Sequence, residues 1–300
     1  MIGGSAYSGY GGNVLLQSGP GTSTTSGSVF IKTANSGIAG VSGAISMLTG
    51  TTSIGSSGSI ALNTGDASYG RAGFIEVSVG SGNSGEGGFL SLTAGETTDA
   101  VGASGGYVSI MTGYSSTSSS GPFVLRTSNA GSKGVSGQIS LTTGTSSNGN
   151  SGAFSIITGS AISGRGGNVL VRVGTGNSGD GGDALLFAGA TSSAGGAGGP
   201  AVISGGEGSS TSATNGGLGG RVQIFGGAAQ GGNSLNNGGN VEIAAGYSRT
   251  GYGGSIIART GYGFARSSGL IDIGTSNAGK DGTSGQISMY TGTTSRGDSG

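Results

Sequence analysis

A glycine followed two and four residues later by apolar side chains recurs eighteen times in this chain. That column limits the folds open to it more than any other feature. The glycines that open each repeat are Gly12, Gly27, Gly43, Gly58, Gly73, Gly88, Gly106, Gly121, Gly137, Gly152, Gly167, Gly182, Gly199, Gly220, Gly239, Gly254, Gly269 and Gly285, with Gly300 opening the next. Most intervals are 15 or 16 residues, and four are longer, at 17 to 21. The second position runs through Val14, Ile45, Ile60, Ile139, Phe154 and Ile287, and the fourth through Leu16, Met47, Leu62, Leu141, Ile156 and Met289. Both positions are apolar in every repeat, although only 32% of residues are hydrophobic. Such a register is strand periodicity, with alternate side chains on opposite faces.

A fixed period of this length is the mark of a stacked repeat architecture. The expected fold is therefore all-β: a parallel β-solenoid of about eighteen coils, mostly of 15–16 residues, with some of 17–21. Its core ladder is expected at Ile45, Met47, Ile60, Leu62, Ile139, Leu141, Phe154, Ile156, Ile287 and Met289. The sixth position is often threonine, as at Thr49, Thr64, Thr143, Thr158, Thr260 and Thr291. The extra residues of the longer repeats are expected to bulge as loops within 95–106, 189–199, 206–220 and 227–239.

A second period lies above the first. "TANSG" (33–37) and "TSNAG" (127–131 and 275–279) each precede by one repeat the near-copies "GAISMLTGTTSIGSSG" (43–58), "GQISLTTGTSSNGNSG" (137–152) and "GQISMYTGTTSRGDSG" (285–300). Residues 1–300 are thus expected to form one continuous array. Its cassettes cover 27–120 and 121–268, with partial ones at 1–26 and 269–300. Met1–Gly58 aligns without gaps on Ile243–Gly300, so that "SGYGG" (8–12) meets "TGYGG" (250–254). This predicts a window of a longer array.

Glycine supplies 75 of the 300 residues. In return segments such as "TSSNGNSG" (145–152) it suits tight corners, which need positive φ. The loops "GSGNSGEGG" (80–88) and "GTGNSGDGG" (174–182) precede a strand pattern and lack the lysine of a phosphate-cradling loop. Several outward arm positions are also apolar: Phe30, Leu48, Val124, Ile157, Leu170, Leu185, Phe187, Phe225, Ile257 and Tyr290. A file of such residues suggests lateral packing.

Chemistry is narrowed by elimination. There is no histidine, cysteine or tryptophan, so neither a Ser-His nor a Cys-His dyad can form and no thiolate can bind metal. The twelve acids, among them Glu76, Glu86, Glu207 and Glu242, are spread over different repeat positions. "GDGGDALLF" (179–187) is similar to a calcium-binding nonapeptide, but it stands alone and the period here is not nine. No cofactor, no metal and no enzymatic activity are expected. Formal net charge is zero with 8% charged residues, which gives no basic excess for nucleic acid. No apolar run approaches the ~20 residues of a membrane helix, so membrane insertion is not expected. Asn-X-Ser/Thr sequons do not occur, while dense serine and threonine, as in "SSTSSSG" (115–121), offer places for O-linked glycan.

The whole chain resembles the Gly/Ser/Thr-rich β-solenoid repeats of cell-surface adhesins and extracellular filament proteins. The resemblance lies in composition and period rather than in a signature motif. It implies a structural role, as a rigid fibre or coat outside the cell or at its surface, with other copies of the chain as partner. Two alternatives remain open. An adhesin stalk would carry its binding tip elsewhere. An ice-binding solenoid would need a regular threonine array, whereas the eighth positions read Thr51, Asp66, Ser81, Glu96, Tyr114, Asn129 and Thr145.

Overall fold

The computed structural model describes residues 2–99 and 101–298. Met1, Ala100 and Gly300, which figure in the expected alignment, loop and last boundary, lie outside them. The chain divides into two units, Met1–Leu141 and Thr142–Gly300.

The repeat period is visible in the chain path. Each repeat holds one straight arm and one reversal. Bends or turns fall at 22–24, 38–39, 53–55 and 68–70 in the first unit, and at 147–149, 162–164, 177–180 and 193–195 in the second, once per repeat. In the three near-copies the reversal depends on glycine. Gly55, Gly149 and Gly297 have φ of 112°, 114° and 125°, a region that side-chain-bearing residues rarely adopt. Local hydroxyl and carboxylate bonds finish other bends. Ser115 Oγ accepts from Ser118 N–H at 3.0 Å, Ser248 Oγ from Gly251 N–H at 2.9 Å, and Asp99 Oδ1 from Val101 N–H at 2.9 Å. These contacts explain why the return segments are rich in serine, threonine and acids.

The base of many reversals is pinched by one backbone hydrogen bond. The boundary glycine donates its N–H to the carbonyl of the glycine at the seventh position of the repeat before. In the first unit Gly12 bonds Gly4 at 2.8 Å, Gly27 bonds Gly19 at 3.0 Å, Gly106 bonds Gly95 at 2.9 Å and Gly121 bonds Gly113 at 3.0 Å. In the second unit Gly199, Gly220, Gly239 and Gly254 each make this bond at 2.8 Å, to Gly189, Gly206, Gly227 and Gly246, and Gly269 bonds Gly261 at 3.3 Å. The extra residues of the four longest repeats lie inside these closures, within 95–106, 189–199, 206–220 and 227–239.

The parallel β-solenoid expected from the sequence is not the fold. Among the described residues there is no strand and no helix, and the structure is irregular and turn-rich. A strand is defined by a partner ladder, and here a single pinch bond joins half of the arms to the next and none joins the others. The physical reason is the shortage of apolar surface. Two aliphatics in fifteen glycine-rich residues do not offset the entropy of fixing those residues. The chain accordingly exposes 30233 Å². A folded monomer of 28.1 kDa would expose about 11,000 Å², and its extended chain about 41,000 Å².

The sixth position decides whether the pinch closes by backbone. Where it is Gly3, Ser18, Ala94, Ala188, Gly205, Gly226 or Ala245, the bond forms. Where it is Thr33, Thr49, Thr64, Val79, Thr127, Thr143, Thr158, Val173 or Thr275, none forms. Only Thr112 and Thr260 combine a β-branched residue with the bond, and the latter closes at 3.3 Å. The branched side chain occupies the gap. A Cβ added to Gly43 would stand 3.3 Å from Thr33 Cγ2, and one on Gly285 would stand 3.2 Å from Thr275 Cγ2.

Thr143→Ala is expected to let Gly152 N–H reach the Gly144 carbonyl. Slower hydrogen exchange at the Gly152 amide, with other amides unchanged, is the measurement. A second expectation concerns Gly226 and Gly227. A Cβ at Gly226 falls on the Gly239 carbonyl, while none at Gly227 meets anything within 4 Å. Gly226→Ala should therefore displace the Gly239 carbonyl and reduce protection of the Gly239 amide, and Gly227→Ala should leave it intact.

Candidate functional site

No enclosed site is present among the described residues, and the feature with functional content is the surface of the arms. The ten residues expected as a core ladder are all exposed, and no hydrophobic side chain is buried among the described residues. Ile139 is 48% exposed and Leu141 61%. The arms nonetheless have two unlike faces. Large side chains at the second position are 48–63% exposed, whereas the ten outward apolar residues named above are 69–89% exposed. The two ranges do not overlap. Fourth positions spread more widely, from 57% at Leu16 to 88% at Met289.

Coverage at the second position does not depend on the pinch bond: Val29, after the bonded Gly27, and Ile139, after the unbonded Gly137, are both 48% exposed. Either kind of joint brings the end of one arm beside the start of the next. Around the joint of Val173 and Gly182, one shallow, mostly apolar cleft is lined by Val171, Val173, Ala184, Leu185 and Leu186 together with Arg172 and Asp183. A Cβ on Gly182 would stand 3.0 Å from Val173 Cγ1, so a larger residue there would force the arms apart.

The least exposed residues of the chain are not the aliphatics. They are Gly3, Ser18, Thr33, Ala94 and Gly205, all at the sixth position, with Ser115, Gly208 and Gly263, all at the ninth. The sequence displays recurrent threonine at the sixth position. Its role as a spacer across the pinch depends on the next boundary glycine, nine or ten residues on. The seventh-position glycine that accepts the pinch bond is a further signal in the sequence. It is replaced by Ala34, Ser128 and Ser276 in the repeats carrying "TANSG" or "TSNAG". In two of those the close bond shifts into the bend, Gly40 N–H to the Gly37 carbonyl and Gly282 N–H to the Gly279 carbonyl, each at 3.3 Å.

The acids Glu76, Glu86, Glu207 and Glu242 are all exposed, as are Asp180 and Asp183 of the calcium-like segment. No three acidic side chains gather among the described residues. No family model, curated protein or solved structure matches the chain.

Because Leu141 already faces water, Leu141→Asp is expected to leave the single chain unchanged. The far-ultraviolet circular dichroism of a dilute sample should be the same for wild type, Leu141→Asp and Ser140→Asp, with no strand or helix signature in any of them.

Proposed function

We propose that the chain is a structural protein that associates with copies of itself through the apolar faces of its arms, forming a fibre or coat at or outside the cell surface. The observation that carries this reading is the apolar register. It is filled in every repeat and yet stands about half or more in water in one chain. Removing the rest of one such aliphatic from water is worth about 1 kcal/mol. One arm gains little, but eighteen arms in register gain enough to oppose the cost of ordering the chain. Low charge removes most of the repulsion that would keep copies apart. The location rests on the resemblance of composition and period to extracellular filament repeats.

Sedimentation over a wide concentration range tests the proposal. Species larger than 28.1 kDa should appear and grow with concentration. Metal chelators should not dissolve them, since no metal joins the copies. Leu141→Asp should shift the onset upward about tenfold, the equivalent of about 1.4 kcal/mol, while Ser140→Asp should shift it little. A monomer that persists at every concentration overturns the reading.

A further inference from the structure

The apolar register cannot by itself say how two copies align. Every repeat presents the same pair of apolar positions, so a shift by any whole number of repeats buries equivalent side chains. Only a feature that differs from repeat to repeat can choose among the shifts. The charged residues are such a feature. All 24 are exposed, twelve of each sign, and they fall unevenly, with none in repeats 12–26, 43–57, 106–120 and 137–151.

In the first unit, repeat 27–42 carries Lys32, repeat 73–87 carries Glu76 and Glu86, and repeat 121–136 carries Arg126 and Lys133. Each set lies three repeats from the next, and the sign reverses at each step. Lys32, Glu76 and Arg126 are exposed and each stands next in sequence to a register residue, Ile31, Ile75 and Leu125. The second unit repeats the rule. Arg165 lies three repeats before Glu207, and Glu207 three before Arg259 and Arg266. Arg221 lies three before the net-negative repeat of Asp272, Lys280 and Asp281.

We propose that the partner of this surface is a second copy of the chain, aligned parallel and offset by three repeats. The inference rests on the self-association proposed above. At that offset, wherever two repeats of non-zero net charge meet, their signs are opposite. At zero offset every charged repeat meets its own sign. At six repeats Lys32 meets Arg126 and Lys133, and Arg165 meets Arg259 and Arg266, all repulsive. Each exposed pair is weak. That suffices for selection within a fibre, where further copies cover the three-repeat overhangs, because the apolar contribution is then the same at every offset and cancels from the comparison.

The test uses the intact chain, mixed in equal parts with its nitrogen-15-labelled copy and treated with a carbodiimide. This reagent joins a lysine amine to a touching carboxyl as an amide, and a product with one labelled and one unlabelled half proves that two copies are joined. The expected inter-copy products are Lys133 with Glu76 or Glu86, and Lys32 with Glu76 or Glu86. Lys280 and Asp281 are neighbours in sequence, so an inter-copy amide between them reports zero offset. The three-repeat products should exceed it about tenfold at low salt, a preference of about 1.4 kcal/mol. At 1 M salt, where the screening length falls to about 3 Å, the preference should vanish while association persists. The Glu76→Lys/Glu86→Lys chain should lose the preference. Mixing it with a Lys32→Glu/Arg126→Glu/Lys133→Glu chain should restore offset pairing, read as amides from the new lysines to the new acids. Association with Lys280–Asp281 dominant, or with no favoured product, overturns the offset and leaves self-association standing. Absence of any inter-copy species on sedimentation overturns both.

Discussion

The joint between a boundary glycine and the sixth and seventh positions of the repeat before is the constraint on which the rest of this chain depends. It closes a reversal and places the end of one arm beside the start of the next. Two glycines meet there because their backbones approach too closely for a Cβ at the boundary. At Gly220, a Cβ would stand 3.0 Å from the Gly206 nitrogen. One residue before the acceptor, a β-branched side chain fills the gap and the bond is lost in nearly every case. The chain therefore holds two kinds of joint, one closed by backbone and one propped by threonine or valine. The long glycine-rich repeats from 182 to 253 use the closed joint throughout. The near-copies at 43–58 and 137–152 use the propped one.

A joint of this kind organises neighbours in sequence and goes no further. It draws the second-position side chains partly out of water and leaves the arm surfaces open. The total exposed area, nearer to that of an extended chain than of a compact one, is the direct result. A fold with so little internal apolar contact leaves most of its hydrophobic free energy unrealised within the single chain. The asymmetry between second-position and outward residues then matters. It gives each arm one partly sheltered face and one that is not.

Much of this was legible in the sequence because it is local. The repeat length, the place of the reversals and the loops that hold the extra residues follow from glycine spacing and period-two alternation. These signals act within one repeat. The β-ladder was not legible in the same way, because it requires a neighbouring arm at pairing distance. Ile139 and Leu141 sit in a strand-like pattern whether or not such a neighbour exists. The recurrent threonine at the sixth position was visible as a letter. Its physical meaning came only with the geometry that sets Thr33 against Gly43. The seventh-position glycines were hidden among so many others that composition masked their regularity.

Low charge content has a double consequence in a chain built this way. An array of identical apolar arms associates only if like charges do not accumulate along it, and parallel copies in register superpose every charge on its twin. Few charges keep that penalty small. Those that remain are then the residues best able to distinguish one repeat from another at the surface of contact. Their effect is limited in energy but not in information, since the apolar term is degenerate over every whole-repeat shift. In the proposed assembly, weak exposed charges would set the order while its stability comes from elsewhere. The same division of labour would account for acids scattered over repeat positions. Side chains that define an offset between copies need spacing along the chain, whereas side chains that hold a metal or a substrate need to converge.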